Sequence, residues 1–195
     1  MTGADAAPPA PVSIRALGAA EAEARVSELA DILVDAVAGG ASVNFMAGFR
    51  REEGAAFWRG QLPGIADGGT RLLVGEGAAG RLVGTVLLFF ARQPNAPHRA
   101  EVGKMLVHSS VRRRGLGRRL LSAAEAAARE AGRTLLVLDT ETGSAGDALY
   151  RRCGWTAVGG IPDHSFTADG RLAETTVFFK ALGPHRRPSI VAAVR

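Results

Sequence analysis

Cysteine is almost missing from this 195-residue chain: Cys153 is the only one, so no disulfide can close within it. Such usage suits a reducing, cytoplasmic setting. Long apolar runs are missing too. The longest, Leu82 to Ala91, is interrupted by Gly84 and Thr85, and it falls well short of the ~20 residues that cross a bilayer as a helix. No membrane partner is expected. Met1 to Pro11 has neither the basic nor the apolar part of a secretory signal and reads as a flexible leader. The histidines His98, His108, His164 and His185 are scattered without ligand spacing, so no metal is expected. Lysine is scarce, with only Lys104 and Lys180, and Tyr150 is the single tyrosine.

What is present is an ordinary globular composition, 47% hydrophobic, enough for one domain over residues 12–182 followed by a basic tail over 183–195. The net charge of +5 is carried almost wholly by arginine, clustered at Arg112 to Arg114 with Arg118 and Arg119, at Arg151 and Arg152, and at Arg186 and Arg187. Charge alone would suit nucleic acid. Aromatics make up only 6% and form no basic-aromatic stripe, so a base-stacking platform has little to build on. Local clusters beside glycines suit a phosphorylated small ligand better, and no nucleic-acid partner is expected.

Periodicity predicts a strand at Val12 to Ala16, a helix over Glu21 to Ala38 stopped by Gly39-Gly40, and a loop through Asn44 and Phe45. A helix over Arg50 to Gln61 should end at Pro63-Gly64. Strands at Arg71 to Val74 and Arg81 to Arg92 flank a hairpin at Glu76 to Gly80. A strand over Ala100 to His108, a helix over Gly115 to Ala131 and a buried strand over Thr134 to Asp139 follow. Then come a helix over Ser144 to Arg152 and strands at Trp155 to Val158 and Thr175 to Leu182. This order implies a mixed α/β (α+β) fold with helices on both faces of a sheet. Gly75 to Gly80 spells the G-x-G-x-x-G of dinucleotide folds, but a strand follows where that motif needs a helix, so it reads as a hairpin.

The strongest chemical signal is Val107 to Arg118 (VHSSVRRRGLGR), at a strand-to-helix junction. Gly115 and Gly117 clear side chains from the helix mouth. The unpaired N–H groups of the first turn and the helix dipole then make an anion site fit for a pyrophosphate. The alternative is a glycine turn with a solvated basic face. Downstream lies Ala148-Leu149-Tyr150-Arg151-Arg152-Cys153-Gly154-Trp155. Taken together, these segments resemble the two signatures of the GNAT acetyltransferases, in the family's order and with a buried strand between them. From Arg99 to Leu182 the chain looks like the tabtoxin-resistance acetyltransferases, a match supported by GGASVNFM (39–46), RAEV (99–102), LDTETGS (138–144) and DGRL (169–172).

The resemblance implies a mostly antiparallel sheet with splayed central strands and acetyl-CoA as cosubstrate. The main chain of Met105, Leu106 and Val107 would pair with the pantetheine arm. Arg112, Arg113, Arg114, Gly115, Leu116, Gly117 and Arg118 would hold the pyrophosphate. Where many relatives carry an asparagine this chain has Gly143, flanked by Thr142 and Ser144, and Ser144 is the candidate replacement. Tyr150 takes the place of the acid that protonates the departing thiolate. Glu101 and Asp139 are candidates for the general base or for ligands of the amine, with helix capping the alternative for Asp139 or Glu141. Asn44 and Phe45 are candidate acceptor contacts. The acceptor expected is a small-molecule amine, such as an amino-acid- or dipeptide-like toxin. The alternatives are a protein lysine or N-terminus, or a non-catalytic acyl-CoA-binding module. A homodimer through the last strand pair is an option the family leaves open.

Overall fold

A computed structural model of the protein describes residues 12–183, so the leader and all of the tail but Gly183 lie outside the described residues. In chain order the elements are β1 (Ser13–Leu17), α1 (Ala19–Ala24), α2 (Val26–Ala38), α3 (Arg51–Ala66), β2 (Thr70–Glu76), β3 (Leu82–Phe90), β4 (Arg99–Val107), α4 (Leu116–Glu130), β5 (Leu135–Glu141), α5 (Ala145–Arg152), β6 (Thr156–Phe166) and β7 (Leu172–Ala181). One seven-stranded sheet has the order β1-β2-β3-β4-β5-β7-β6. Every neighbouring pair is antiparallel except β4 with β5. That pair holds for three positions, Arg99↔Leu135, Ala100↔Leu136 and Glu101↔Val137, and then parts. The mixed, mostly antiparallel sheet with splayed central strands is the architecture expected.

Helices cover both faces, and each face has its own core. On one, α4 packs Leu116, Leu120, Leu121 and Ala124 against Val86, Leu88, Ala100, Val102, Leu136 and Leu138, with Tyr150, Trp155 and Phe178 at the side. On the other, α1 to α3 bury Leu29, Ile32, Leu33 and Trp58 against Leu72, Val74, Leu87 and Leu106. Trp58 is wholly enclosed and its indole N–H donates to the Leu29 carbonyl (2.8 Å), which satisfies the one polar atom the ring carries.

Three elements depart from the sequence pattern. The first helix is two, broken at Arg25, whose guanidinium donates to Glu28 and to the Gly80 carbonyl and so ties the break to the β2–β3 hairpin. Helix α3 runs through Pro63 to Ala66. Proline there removes one intrahelical donor near an exposed helix end, where water can replace it. Strand β6, expected over Trp155 to Val158, runs on to Phe166. Pro162 and the left-handed Asp163 (φ 50°) are tolerated because β6 is a sheet edge.

Strand β4 carries a bulge. Leu87 faces Gly103 and Thr85 faces Leu106, so Lys104 and Met105 together oppose Val86. Lys104 has φ 45°, and its carbonyl accepts from the Thr85 hydroxyl (2.9 Å). The extra residue reverses the alternation. Ala100 and Val102 point to the α4 side, but beyond the bulge Met105 and Val107 take that side and Leu106 joins the core under α2.

The loop after β4 is fastened to α2 by Asp35. Its carboxylate accepts from the Ser109 N–H (2.8 Å) and hydroxyl (2.5 Å) and from the Arg112 guanidinium (3.2 Å). Burial by itself raises the Asp35 carboxyl. The Ser109 bonds and the His108 and Arg112 charges outweigh it and hold the group below the usual carboxylate range. A carboxyl held low stabilises the fold above its unfolded value, near pH ~4, and loses that contribution as pH falls through the folded value. Asp35→Asn is therefore expected to lower the melting temperature at pH 7 by roughly 2–4 °C, the shift that ~1 kcal/mol produces in a chain of this size. The gap between variant and parent should narrow as pH falls below the unfolded value and close once it has passed the lower folded one; a gap that persists in acid would assign the loss to packing instead.

Candidate active site

After β4 the chain makes a short turn over Ser109–Val111, passes Arg113 in the left-handed region (φ 64°) and reaches Gly115 (φ 80°) directly before α4. Glycine adopts that angle without strain. No side chain caps α4 and its first turn holds no acidic residue, so the free N–H groups of that turn face outward uncompensated. Gly117 serves by size: a Cβ there would lie 3.2 Å from Leu149 of α5 and 3.8 Å from Val107. The mouth of α4 is thus closed in by α5 and β4. Beside it, a cleft of about 490 Å³ is bordered by Arg81, His108, Arg114 and Arg119, which makes the surroundings positive. Arg113, Arg114 and Arg118 are exposed at the rim. Arg112 is turned away, donating to the Val107 carbonyl (2.9 Å) and to Asp35, and acts as a brace for the loop.

Met105, Leu106 and Val107 lie on the stretch of β4 that pairs with β3 on one side and has lost β5 on the other. Their outer main chain borders an open slot in the sheet. Tyr150 stands on the α4 side of that slot. It is buried against Trp155 and Phe178, with ring centroids 5.8 Å away in both cases. Its hydroxyl has no hydrogen-bond partner among the described residues. Burial pushes the phenol above its ordinary value, and the Asp139 and Cys153 charges add to the rise. Asp139 alternates with Leu136 and Leu138, which pack on the α4 side, so its own side chain belongs to the opposite face. Its influence on Tyr150 passes through the slot.

On that opposite face the structure gathers Glu101, Lys104 and Asp139. Both carboxylates act electrostatically on the Lys104 ammonium, which sits 5.6 Å from the Phe45 ring centroid and 5.2 Å from that of Phe57. Phe45 also stacks on Phe49 (4.2 Å). Phe49 in turn lines a cleft of about 360 Å³ with Val34, Val37, Glu141, Thr167 and Asp169. The loop carrying Asn44 and Phe45 is tied to the β6–β7 turn where the Ala47 N–H donates to the Ala168 carbonyl (2.8 Å). Asn44 itself is exposed, in a left-handed turn (φ 71°).

Two expectations about carboxylates change. The strand over Thr134 to Asp139 is expected to be buried, but burial ends at Leu138 and the Asp139 carboxylate is exposed. Neither Asp139 nor Glu141 caps α5. Ser144 does, its hydroxyl accepting from the Asp147 N–H (3.2 Å), while the Asp147 carboxylate accepts from the Gly143 N–H (3.0 Å). The Thr142 hydroxyl is engaged with Glu174 and Thr176. Among the described residues no group of three or more His, Cys, Asp or Glu is arranged to hold a metal, and no helix is long and apolar enough to cross a membrane.

Lys104 and Asp35 were missed by reasoning from sequence. Lys104 had a visible signal: in Ala100-Glu-Val102-Gly-Lys104-Met-Leu106 the even positions are apolar except the lysine. A charge in a core position of a strand is a reason to suspect a bulge. Asp35 had none, because its partners are 74 and 77 residues away.

An uncompensated helix mouth, a slot between parted parallel strands and a buried phenol thus lie side by side. A model of the acetyltransferase (GNAT) family matches residues 42–155. Among solved structures, the fold superposes on yncA from Salmonella typhimurium, described as an acetyltransferase with its cofactor acetyl-CoA (TM-score 0.72, 22% identity, 92% of this chain and 99% of that one). It also superposes on a ribosomal-protein-alanine N-acetyltransferase from Brucella melitensis (TM-score 0.70, 25% identity, 87% and 99%). A third is a GCN5-related N-acetyltransferase from Kribbella flavida (TM-score 0.71, 17% identity, 87% and 97%). With the family model covering more than half of its length, the chain belongs to the acetyltransferase (GNAT) family.

Proposed function

We propose that this enzyme transfers acetyl from acetyl-CoA, its acetyl donor, to the amine of a small, amino-acid-like molecule while both are bound. The observation that carries this reading is the division of labour across the slot. An uncompensated helix mouth and a buried phenol lie on one face, and two carboxylates with an aromatic wall lie on the other. The diphosphate would bind the first-turn N–H groups of Leu116, Gly117 and Arg118, with Arg113 and Arg114 at the rim, and the pantetheine arm would follow the open main chain of Met105 to Val107. Ser144, whose hydroxyl caps α5, would stand beside the arm.

The reaction then needs little from side chains. Glu101 or Asp139 would hold the acceptor as a cation and take its proton, directly or through water. The freed nitrogen lone pair attacks the thioester carbonyl carbon. The carbonyl oxygen gains negative charge, which a main-chain N–H near Leu106 would stabilise. The carbon–sulfur bond breaks as the carbonyl re-forms, the thiolate takes a proton from Tyr150, and the attacking nitrogen gives up its second proton to water, from which the phenolate is re-protonated. A phenol raised by burial stays protonated throughout the neutral range and is present as a donor. Asn44 and Phe45 would close the acceptor side. The size of the neighbouring cleft, about 360 Å³, suits a small molecule, and the tabtoxin-resistance resemblance of residues 99–182 points the same way.

A protein N-terminus is the second reading, favoured by the Brucella relative that acts on a ribosomal-protein alanine. Acetyl-CoA thiol release measured with free amino acids and with N-terminal peptides in competition separates the two. Peptides that win would overturn the small-molecule acceptor.

Tyr150→Phe should cut kcat by about 10²-fold or more, the contribution of a positioned acid, with acetyl-CoA affinity unchanged by calorimetry. Loss of affinity with retained turnover would make Tyr150 a packing residue. Because its ionisation is pushed upward, the parent enzyme should show no alkaline decline in kcat below pH about 10. Gly117→Val places a branched side chain against Leu149 and the helix mouth. It is expected to weaken acetyl-CoA binding at least about tenfold, the loss of ~1.4 kcal/mol, while the far-ultraviolet circular dichroism stays that of the parent.

A further inference from the structure

We propose that Lys104 sets acceptor specificity by seating a carboxylate, so that the acceptor is a zwitterion whose ammonium lies toward Glu101 and Asp139 and whose carboxylate lies on Lys104. The proposal rests on the reading of that face as a small-amine site.

Three observations converge on it. The bulge in β4 uses a left-handed conformation at a non-glycine residue (φ 45°), an arrangement that costs free energy and persists where the surroundings impose it. Its effect is to take Lys104 off the α4 face, where the alternation of Ala100 and Val102 would have put it, and aim it at the face of Glu101. Second, the ammonium is half-buried between the rings of Phe45 and Phe57 and makes no ion pair or hydrogen bond among the described residues. Lysine is seldom withdrawn from water without a partner. Here desolvation drives its pKa down although Asp139 and Glu101 pull it up. An arriving carboxylate would supply the missing partner in a place where water screens little. Third, the charges match in kind. One ammonium and two carboxylates on one face complement an amino acid, whose carboxylate needs a cation and whose ammonium needs an anion that can remove its proton. A monoamine without an acid group would meet Lys104 as a like charge, and exclusion by repulsion sharpens selection. The aromatic rings fix the lysine stem, so the ammonium is held in place before the acceptor arrives.

The test compares amino acids with their own carboxamides and decarboxylated amines as acceptors, in the full-length enzyme, by thiol release from acetyl-CoA. The parent should prefer the acids by at least about tenfold in kcat/KM, the worth of one charge-assisted hydrogen bond in a desolvated site. Lys104→Met should bring that ratio to within about twofold by raising KM for the acids alone, and Lys104→Arg should retain part of the preference. Melting temperature and acetyl-CoA affinity establish that each variant is folded. Equal losses with both kinds of acceptor in Lys104→Met would overturn the proposal, since a general base or a packing residue behaves that way. Turnover by the parent without preference for a carboxylate sinks the role of Lys104 and leaves the small-amine reading standing. A parent that binds acetyl-CoA but acetylates none of these amines overturns both.

Discussion

The structure depends on two parallel strands that cannot stay together. Strands β4 and β5 share three residues of register and then separate, and everything attributed to the site follows from the gap. Main-chain groups on the separated edges have no partner in the sheet, and buried main-chain groups without partners are costly. A ligand that offers its own amides along that edge satisfies them. The same gap joins the two faces: Tyr150 belongs to the core under α4, yet it feels the charge of Asp139 from the other side. The proposed donor and acceptor would therefore meet in the plane of the sheet without sharing a pocket.

Around the slot, rigidity is supplied from outside. Asp35 and Arg112 fasten the loop before α4 to α2, and Gly117 lets Leu149 of α5 come close. The β6–β7 turn holds the loop of Asn44 and Phe45 through Ala47. None of these residues needs to react. Acyl transfer between two bound partners gains most of its rate from orientation and from oriented dipoles at the developing oxyanion, and this is a scaffold that orients.

Much of the fold could be read from local pattern. The helix over 115–131, the hairpin at 76–80 and the strand over 134–139 are short-range features, set by apolar spacing and glycines, and each appears within a residue or two of its expected place. The pattern failed where a distant contact outweighed it. Arg25 breaks a continuous amphipathic helix because the hairpin carbonyl of Gly80 lies within its reach. The polar second half of β6 pairs with β7 at Ile161, Ser165 and Phe166, on either side of an irregularity at Pro162 and Asp163. Asp139 looked like a buried carboxyl from the apolar run before it, yet the parting of the strands leaves it in the open.

The family signatures are written in the linear order of the residues: a glycine-opened helix after a strand, and an aliphatic-tyrosine pair on a short helix before Gly154 and Trp155. Those depend on bond rotation and on groups a few residues apart, which a linear pattern encodes directly. Which face each charge occupies was settled by strand pairing. One extra residue at Lys104 reverses every side chain after it, because strand side chains alternate with a period of two. The lone charge in the apolar alternation of 100–106 hints at a bulge, but its place is set by how β3 pairs with β4, some twenty residues apart in the chain.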